Sequence, residues 1–371
     1  MTRKISLQDI LNSSALFRLK QFKIFDYLIG GLVAFLLPSL QNKKLSLEAK
    51  RILIIRPGGL GDAVFLLPIL KVLKIKGFIV DILCEGRNSE IFTSQNNLLN
   101  KVYLYEEQLL DVFHKSYDVV IDTEQWHYLS AIVSYFLKAE YRIGFATRPL
   151  RAKLFNKQVV YGENDYELDN FKKLFEDLLV SDNEINNING CFDIPVDLKQ
   201  WASKQIPPNA VSVFLGSSMT IRRFNEDQLL MIIRDLLTNN YYPVLLGGKD
   251  VVGNSQQVLK NFNDQRVLNF VGKISIIQSA ALIQRSCKFI GPDSGLMHLA
   301  CAVGIPVVAV FGPGNLQKWG PKGNADRIIT ENASCSPCTI FGYTLPTCHG
   351  SYHCMKKLQI DKSTMDLNEK V

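Results

Sequence analysis

The sequence lacks an uninterrupted apolar run of the ~20 residues that a bilayer span requires. Its most apolar stretch, Ile24 to Leu40, is broken by Asp26, by Gly30 and Gly31, and by Pro38. No small-residue cleavage site follows that stretch, and a basic segment leads straight into a β-rich run, which argues against a secretory leader. Aromatic and basic residues are nowhere interleaved in the stripe that a nucleic-acid groove needs, so nucleic acid is set aside as a partner. Repeats of solenoid period and low-complexity blocks are also missing.

What is present is a chain of 371 residues, 47% hydrophobic and 21% charged, enough for two ordinary globular domains with their own cores. The formal charge of +7 is concentrated at the start. Arg3, Lys4, Arg18, Lys20, Lys23, Lys43, Lys44 and Lys50 stand there against Asp9, Asp26 and Glu48. Lysines flank the apolar stretch, and near an anionic leaflet each contributes about 1 kcal/mol. Residues 1–45 are therefore expected to be a basic, apolar membrane-interface anchor whose removal leaves a soluble protein. A buried helix of the globular body is the competing reading.

Beyond Leu45 the pattern changes to short apolar runs separated by helical stretches. Residues 51–56, 78–84, 101–105, 118–123 and 141–145 read as one strand series, and 210–216, 242–248, 266–272, 288–293 and 306–312 as a second. Apolarity is continuous in these runs, as in strands covered on both faces, which means parallel sheets. Two such series imply an α/β protein of two Rossmann-like domains facing each other across a cleft. The expected division is 46–195 and 196–355, joined through the polar stretch Ser181 to Pro208, with a tail from 356 to 371.

Ligands of open parallel sheets collect beyond the carboxyl ends of the strands, which directs attention to three loops. The first follows the first strand, RPGGLGDAVFLLPIL from Arg56. Gly58, Gly59 and Gly61 permit a sharp turn and close ligand approach, yet their spacing is not G-x-G-x-x-G and no P-loop Lys-Ser or Lys-Thr follows. Asp62 ends this turn at a helix start, as a cap or as a general base. The second loop is GPDSGLMHLACAVGIPVVAVFGPGN from Gly291. A short helix starting near Asp293 to Gly295 offers its positive end to a diphosphate, with Ser294, the amides of Gly295 and Leu296, and His298 as donors. Asp293 would repel phosphate, so it suits sugar hydroxyls or the helix amides; a satisfied half-buried histidine is the alternative for His298. The third is FLGSSMTIRRFNEDQLL from Phe214, where Gly216, Ser217, Ser218 and the Arg222–Arg223 pair supply hydroxyls and guanidinium forks. Asp250, after the LLGGK turn, is a place for a ribose-binding acid.

Together these motifs resemble the ADP-heptose:lipopolysaccharide heptosyltransferases, glycosyltransferase family 9, over roughly residues 50 to 360. The resemblance rests on Gly61-Asp62 with Pro68, on Gly216 and Ser218 ahead of Arg222 and Phe224, and on Asp293-Ser294-Gly295 with His298. It implies a GT-B architecture, inversion at the anomeric carbon, no required metal or other cofactor, and Asp62 as catalytic base. Gly216, Ser217, Ser218, Arg222, Asp293, Ser294, Gly295 and His298 would then hold the donor, ADP-heptose, for transfer to a lipopolysaccharide-type or other lipid-linked glycan. Localisation would be cytoplasmic, peripheral on the inner membrane. Two departures stand out: Phe224 replaces the usual tryptophan, and Gly314 the usual threonine. A GT-B epimerase or hydrolase, and a non-catalytic nucleotide-sugar-binding assembly protein, are the competing functions. The former needs no lipid acceptor, and the latter needs no Asp62.

Four late cysteines, Cys335, Cys338, Cys348 and Cys354, have one C-x2-C pair, but the second gap is five residues, a weak match to a zinc site. Reduced thiols are the leading reading for a cytosolic chain.

Overall fold

The computed structural model describes residues 17–46, 48–178, 185, 187–323, 325–340, 343–344, 353–358 and 360. The chain forms two compact units, the first centred on Met1–Asn186 and the second on Asn187–Ile340.

The first unit is built on six parallel strands: β1 (Arg51–Arg56), β2 (Ile79–Cys84), β3 (Lys101–Leu104), β4 (Ser116–Asp122), β5 (Lys138–Phe145) and β6 (Lys157–Val159), in the order β3-β2-β1-β4-β5-β6. The second has β7 (Ala210–Phe214), β8 (Tyr242–Leu246), β9 (Leu268–Asn269), β10 (Lys288–Pro292), β11 (Val307–Phe311) and β12 (Arg327–Thr330), in the order β12-β11-β10-β7-β8-β9. Each is the doubly wound 3-2-1-4-5-6 arrangement, whose direction reverses between the first and fourth strands. Residues 52–55 of β1 and 307–311 of β11 are buried throughout, as continuous apolar strands require when helices cover both faces.

The N-terminal residues form a helix Phe17–Phe25, a π-helical turn Asp26–Gly30 and a further helix Gly31–Leu36. Its polarity is inverted. Lys23, Asp26, Gly30 and Ala34 face inward and are buried, whereas Phe25, Leu32, Phe35 and Leu36 are 57%, 55%, 64% and 71% exposed. Asp26 caps the helix Tyr128–Phe136 from outside it, accepting from the Tyr128 amide at 3.1 Å and the Leu129 amide at 2.8 Å, with His127 Nδ1 at 3.2 Å. At Gly30 a Cβ would stand 3.0 Å from Tyr128 Cβ, so the glycine permits the close approach. Ala34 packs with Tyr128, Ala131, Leu154 and Phe155, and Lys153 Nζ donates to the Phe35 carbonyl at 3.0 Å. The segment is thus part of the first unit. Removing it would strip a helix cap and open an apolar cluster, so a truncated protein is not simply the same enzyme without its anchor. Among the described residues no helix is long and apolar enough to cross a membrane.

Candidate functional site

In each unit residues predicted from the sequence lie where the strand order reverses, and in the first unit Glu124 joins them. Asp62 follows β1 and Glu124 follows β4, the two neighbours at the first reversal; Ser217 follows β7 and Asp293 follows β10, the two neighbours at the second.

In the first unit the turn Pro57-Gly58-Gly59 leads from β1 into the helix Leu60–Ile75. Gly58 has φ 105°, a backbone region open to glycine, and a Cβ there would lie 3.0 Å from an Arg56 nitrogen. The helix N-cap is Gly59, and Asp62 occupies the third helical position. The turn is closed from below by Arg56, 1% exposed, which the sequence reading left out of the site although it ends an otherwise apolar strand. Its guanidinium donates to the carbonyls of Pro57 at 2.6 Å and Thr123 at 2.8 Å and to Glu124 Oε2 at 3.1 Å, with Asp62 Oδ2 at 3.7 Å. Burial works against its charge, but Asp62, Glu124, Glu167 and Asp122 outweigh this and raise its pKa.

The three carboxylates at this end differ in what they have left to offer. Burial pushes the Asp122 carboxyl up to about 6 against the pull of Arg151, and its oxygens already accept from Ser130 Oγ, the Glu124 amide and Arg151. Glu124 accepts from the Trp126 amide and from Arg56; burial opposes its charge, but His127 and Arg56 prevail and lower its pKa. Asp62 retains a side chain 25% exposed.

In the second unit the helix Gly295–Val303 is capped by Ser294, whose hydroxyl accepts from the Met297 amide at 3.4 Å, and ends at Gly304 with φ 84°. Asp293 and Arg222 form a buried ion pair, Nη1 to Oδ2 2.9 Å, with side chains 4% and 12% exposed. Arg222 Nη2 also donates to Thr339 Oγ1 at 2.9 Å. The expected guanidinium fork is therefore turned inward: a carboxylate this deep needs a cation, and Arg222 supplies it. Burial raises the Asp293 pKa despite Arg222. Arg223 donates to the Ser217 carbonyl at 2.8 Å and to the exposed Asp250. Ser218 is exposed and Gly216 buried.

The two departures from the family pattern have local reasons. Phe224, 4% exposed, packs into the core of the second unit instead of reaching into the loop. At Gly314 a Cβ would fall 1.9 Å from Asp293 Oδ2, so the carboxylate fills the volume that a threonine would take.

His298 is 5% exposed and therefore more deeply buried than the half-buried alternative supposed. Burial, and next Arg222, lower its pKa from 6.5 to about 3, leaving a neutral imidazole that can donate one N–H but carries no charge. The folded state thus holds fewer protons than the unfolded one between these values. Stability present above pH 6.5 is expected to be lost as pH falls toward 3, and urea titrations of a His298→Gln protein should show that component removed.

Among the described residues no three His, Cys, Asp or Glu side chains converge as a metal site. Cys335 is exposed, Cys338 and Cys354 are buried, and Cys348 lies outside the described residues.

The model of glycosyltransferase family 9 (heptosyltransferase) matches residues 111–347. The chain belongs to glycosyltransferase family 9. Its sheets accordingly build a GT-B fold, shared with the family 9 glycosyltransferase of Veillonella parvula (TM-score 0.66, 19% identity, 78% of this chain and 87% of that one). The ADP-heptose lipopolysaccharide heptosyltransferase II of Escherichia coli is equally similar in fold (TM-score 0.66, 19% identity, 77% and 92%). In sequence, the lipooligosaccharide heptosyltransferase 2 of Haemophilus influenzae is 32% identical over 97 residues, 25% of this family 9 chain. That match spans 28% of the relative's length.

Proposed function

We propose that the chain is an inverting, metal-independent glycosyltransferase that moves a sugar from a nucleoside diphosphate donor to a lipid-linked glycan, working as a peripheral protein on the cytoplasmic face of the inner membrane. Family membership supports the reaction class, and the names of the relatives favour ADP-heptose as donor. The observation that carries the mechanism is the division of labour between the two strand-order reversals. The first presents one carboxylate with residual exposure, Asp62, beside the buried cation Arg56. The second presents a helix N-terminus, Ser294 to Leu296, flanked by Arg222 and the neutral His298.

In this reading the first unit receives the acceptor and the second the donor. The helix amides take up charge on the departing diphosphate, joined by Arg222 as it exchanges its bond to Thr339 for a phosphate oxygen, the task otherwise given to a divalent cation. The acceptor hydroxyl attacks the anomeric carbon and Asp62 takes its proton as the new C–O bond forms; the bond to the diphosphate breaks with its electron pair, and nucleoside diphosphate leaves. Asp293, its charge held by Arg222, is placed for sugar hydroxyls.

A direct test incubates the protein with ADP-heptose and lipid-linked core saccharides in excess chelator. Acceptor-dependent ADP release with an inverted product anomer by NMR is expected. Release without acceptor, or none with any acceptor, would reject the transferase reading.

A further inference from the structure

In the helical segment 17–36 Lys23 and Asp26 are buried while Phe25, Leu28, Leu32, Phe35 and Leu36 are exposed, the opposite of a helix that helps to build a core. We infer that its outward face, continued by Leu129 and Phe136 of the helix beneath it, is a lipid-binding surface that lies in the plane of an anionic membrane interface and is rigidly joined to the first unit. This rests on the reading of a lipid-linked acceptor and adds which surface meets the lipid and in what orientation.

The geometry excludes a span. One side of the segment is pinned from Asp26 to Phe35 by Asp26, Gly30, Ala34 and the Phe35 carbonyl, so bilayer cannot surround it. At ~1.5 Å per residue it covers roughly 30 Å of surface, a length suited to lying on a membrane. Leu129 and Phe136 stand seven residues apart on the helix Tyr128–Phe136, hence on one side of it, and are 40% and 56% exposed.

Charge identifies the occupant. The only acid in segment 17–36 is Asp26, which is 3% exposed, so the outward face carries no negative group. Exposed Lys43 and Lys44 follow after residues 37–42. A second copy of the chain seated on this face would bring two such cationic segments together, whereas anionic headgroups neutralise them. The inward face makes the docking consequential. Asp26 holds the amino end of the helix that follows Glu124, and the Tyr27 ring lies 5.1 Å from the guanidinium of Arg148, which also stacks 3.7 Å from Trp126. Membrane contact and the residues around the acceptor-side carboxylates are therefore one rigid piece.

The test is flotation of the full chain with phosphatidylglycerol–phosphatidylcholine vesicles, with light scattering to read oligomeric state. Wild type is expected to float, less so on pure phosphatidylcholine or at high salt. Leu32→Gln with Phe35→Gln should reduce partitioning at least about a hundredfold, since each side chain loses roughly tenfold or more. Both positions are exposed, so the urea midpoint should not move. A wild type that stays in solution, or a double variant that floats equally well, would overturn the proposal. So would a wild-type dimer that the double variant converts to monomer without either floating. None of these readouts needs turnover, and ADP release onto a delipidated acceptor tests the transferase reading separately.

Discussion

Asp62→Asn is expected to give a folded protein that binds nucleoside diphosphate as wild type does and turns over about a hundredfold more slowly, or worse, the usual range for loss of a positioned base. The structure sharpens the competing explanation. A cap lost from a helix costs about 1 kcal/mol and leaves chemistry intact, and Asp62 stands at the third helical position behind the N-cap Gly59, so its structural share is no larger than that. Its neighbours are poor substitutes. Asp122 is fixed by Arg151 and Ser130, and Glu124 by Arg56 and two amide-bearing loop residues, each without exposure to spare. Stopped assays of ADP release, beside calorimetric titration of ADP, separate the two outcomes. Turnover near wild type would remove Asp62 from the chemistry.

Arg222→Ala should have the largest effect on stability. It leaves Asp293, 4% exposed, as a buried carboxylate without its cation, and breaking such a pair costs about 3–5 kcal/mol. Adding Asp293→Ala removes the orphaned charge and should restore much of that loss in urea denaturation. Nucleotide affinity should behave differently, because it depends on the guanidinium itself: it is expected to fall in the single variant and to stay low in the double. If affinity returned together with stability, Arg222 would be a structural counter-ion only, and the diphosphate would rest on Ser294 and the helix amides.

The strands were legible to the extent that their apolar runs were continuous. Five in each unit are evident in the sequence, because β1, β4, β7 and β11 lie inside their sheets and are buried on both faces. The edge strands β3 and β9 are evident but β6 and β12 are not: Lys157–Val159 has one apolar residue, Val159, and Arg327–Thr330 has two, Ile328 and Ile329. Strands with only one or two apolar residues leave no continuous signal. The glycine turn and the helix Gly295–Val303 announced themselves by local chemistry, with Ser294 before and Gly304 after. Arg56 and the Arg222–Asp293 pair did not, since each depends on partners 60 or more positions away in the chain. The inward Asp26 and Lys23 were hidden for a related reason: a charge inside an apolar stretch reads as an interruption, whereas here it is the attachment point.

Among the described residues the placement of the exposed Cys287 and Cys335 offers a practical handle. Cys287 directly precedes β10 and so sits at the amino end of the second sheet, the end away from Asp293 and Ser294. Cys335 lies four positions before Thr339, the partner of Arg222. A maleimide dye on Cys287 of a Cys335→Ser protein would tether the molecule to a surface or carry a fluorophore with the nucleotide loops unobstructed. The complementary label on Cys335 would sit close enough to those loops to respond when they take up a ligand.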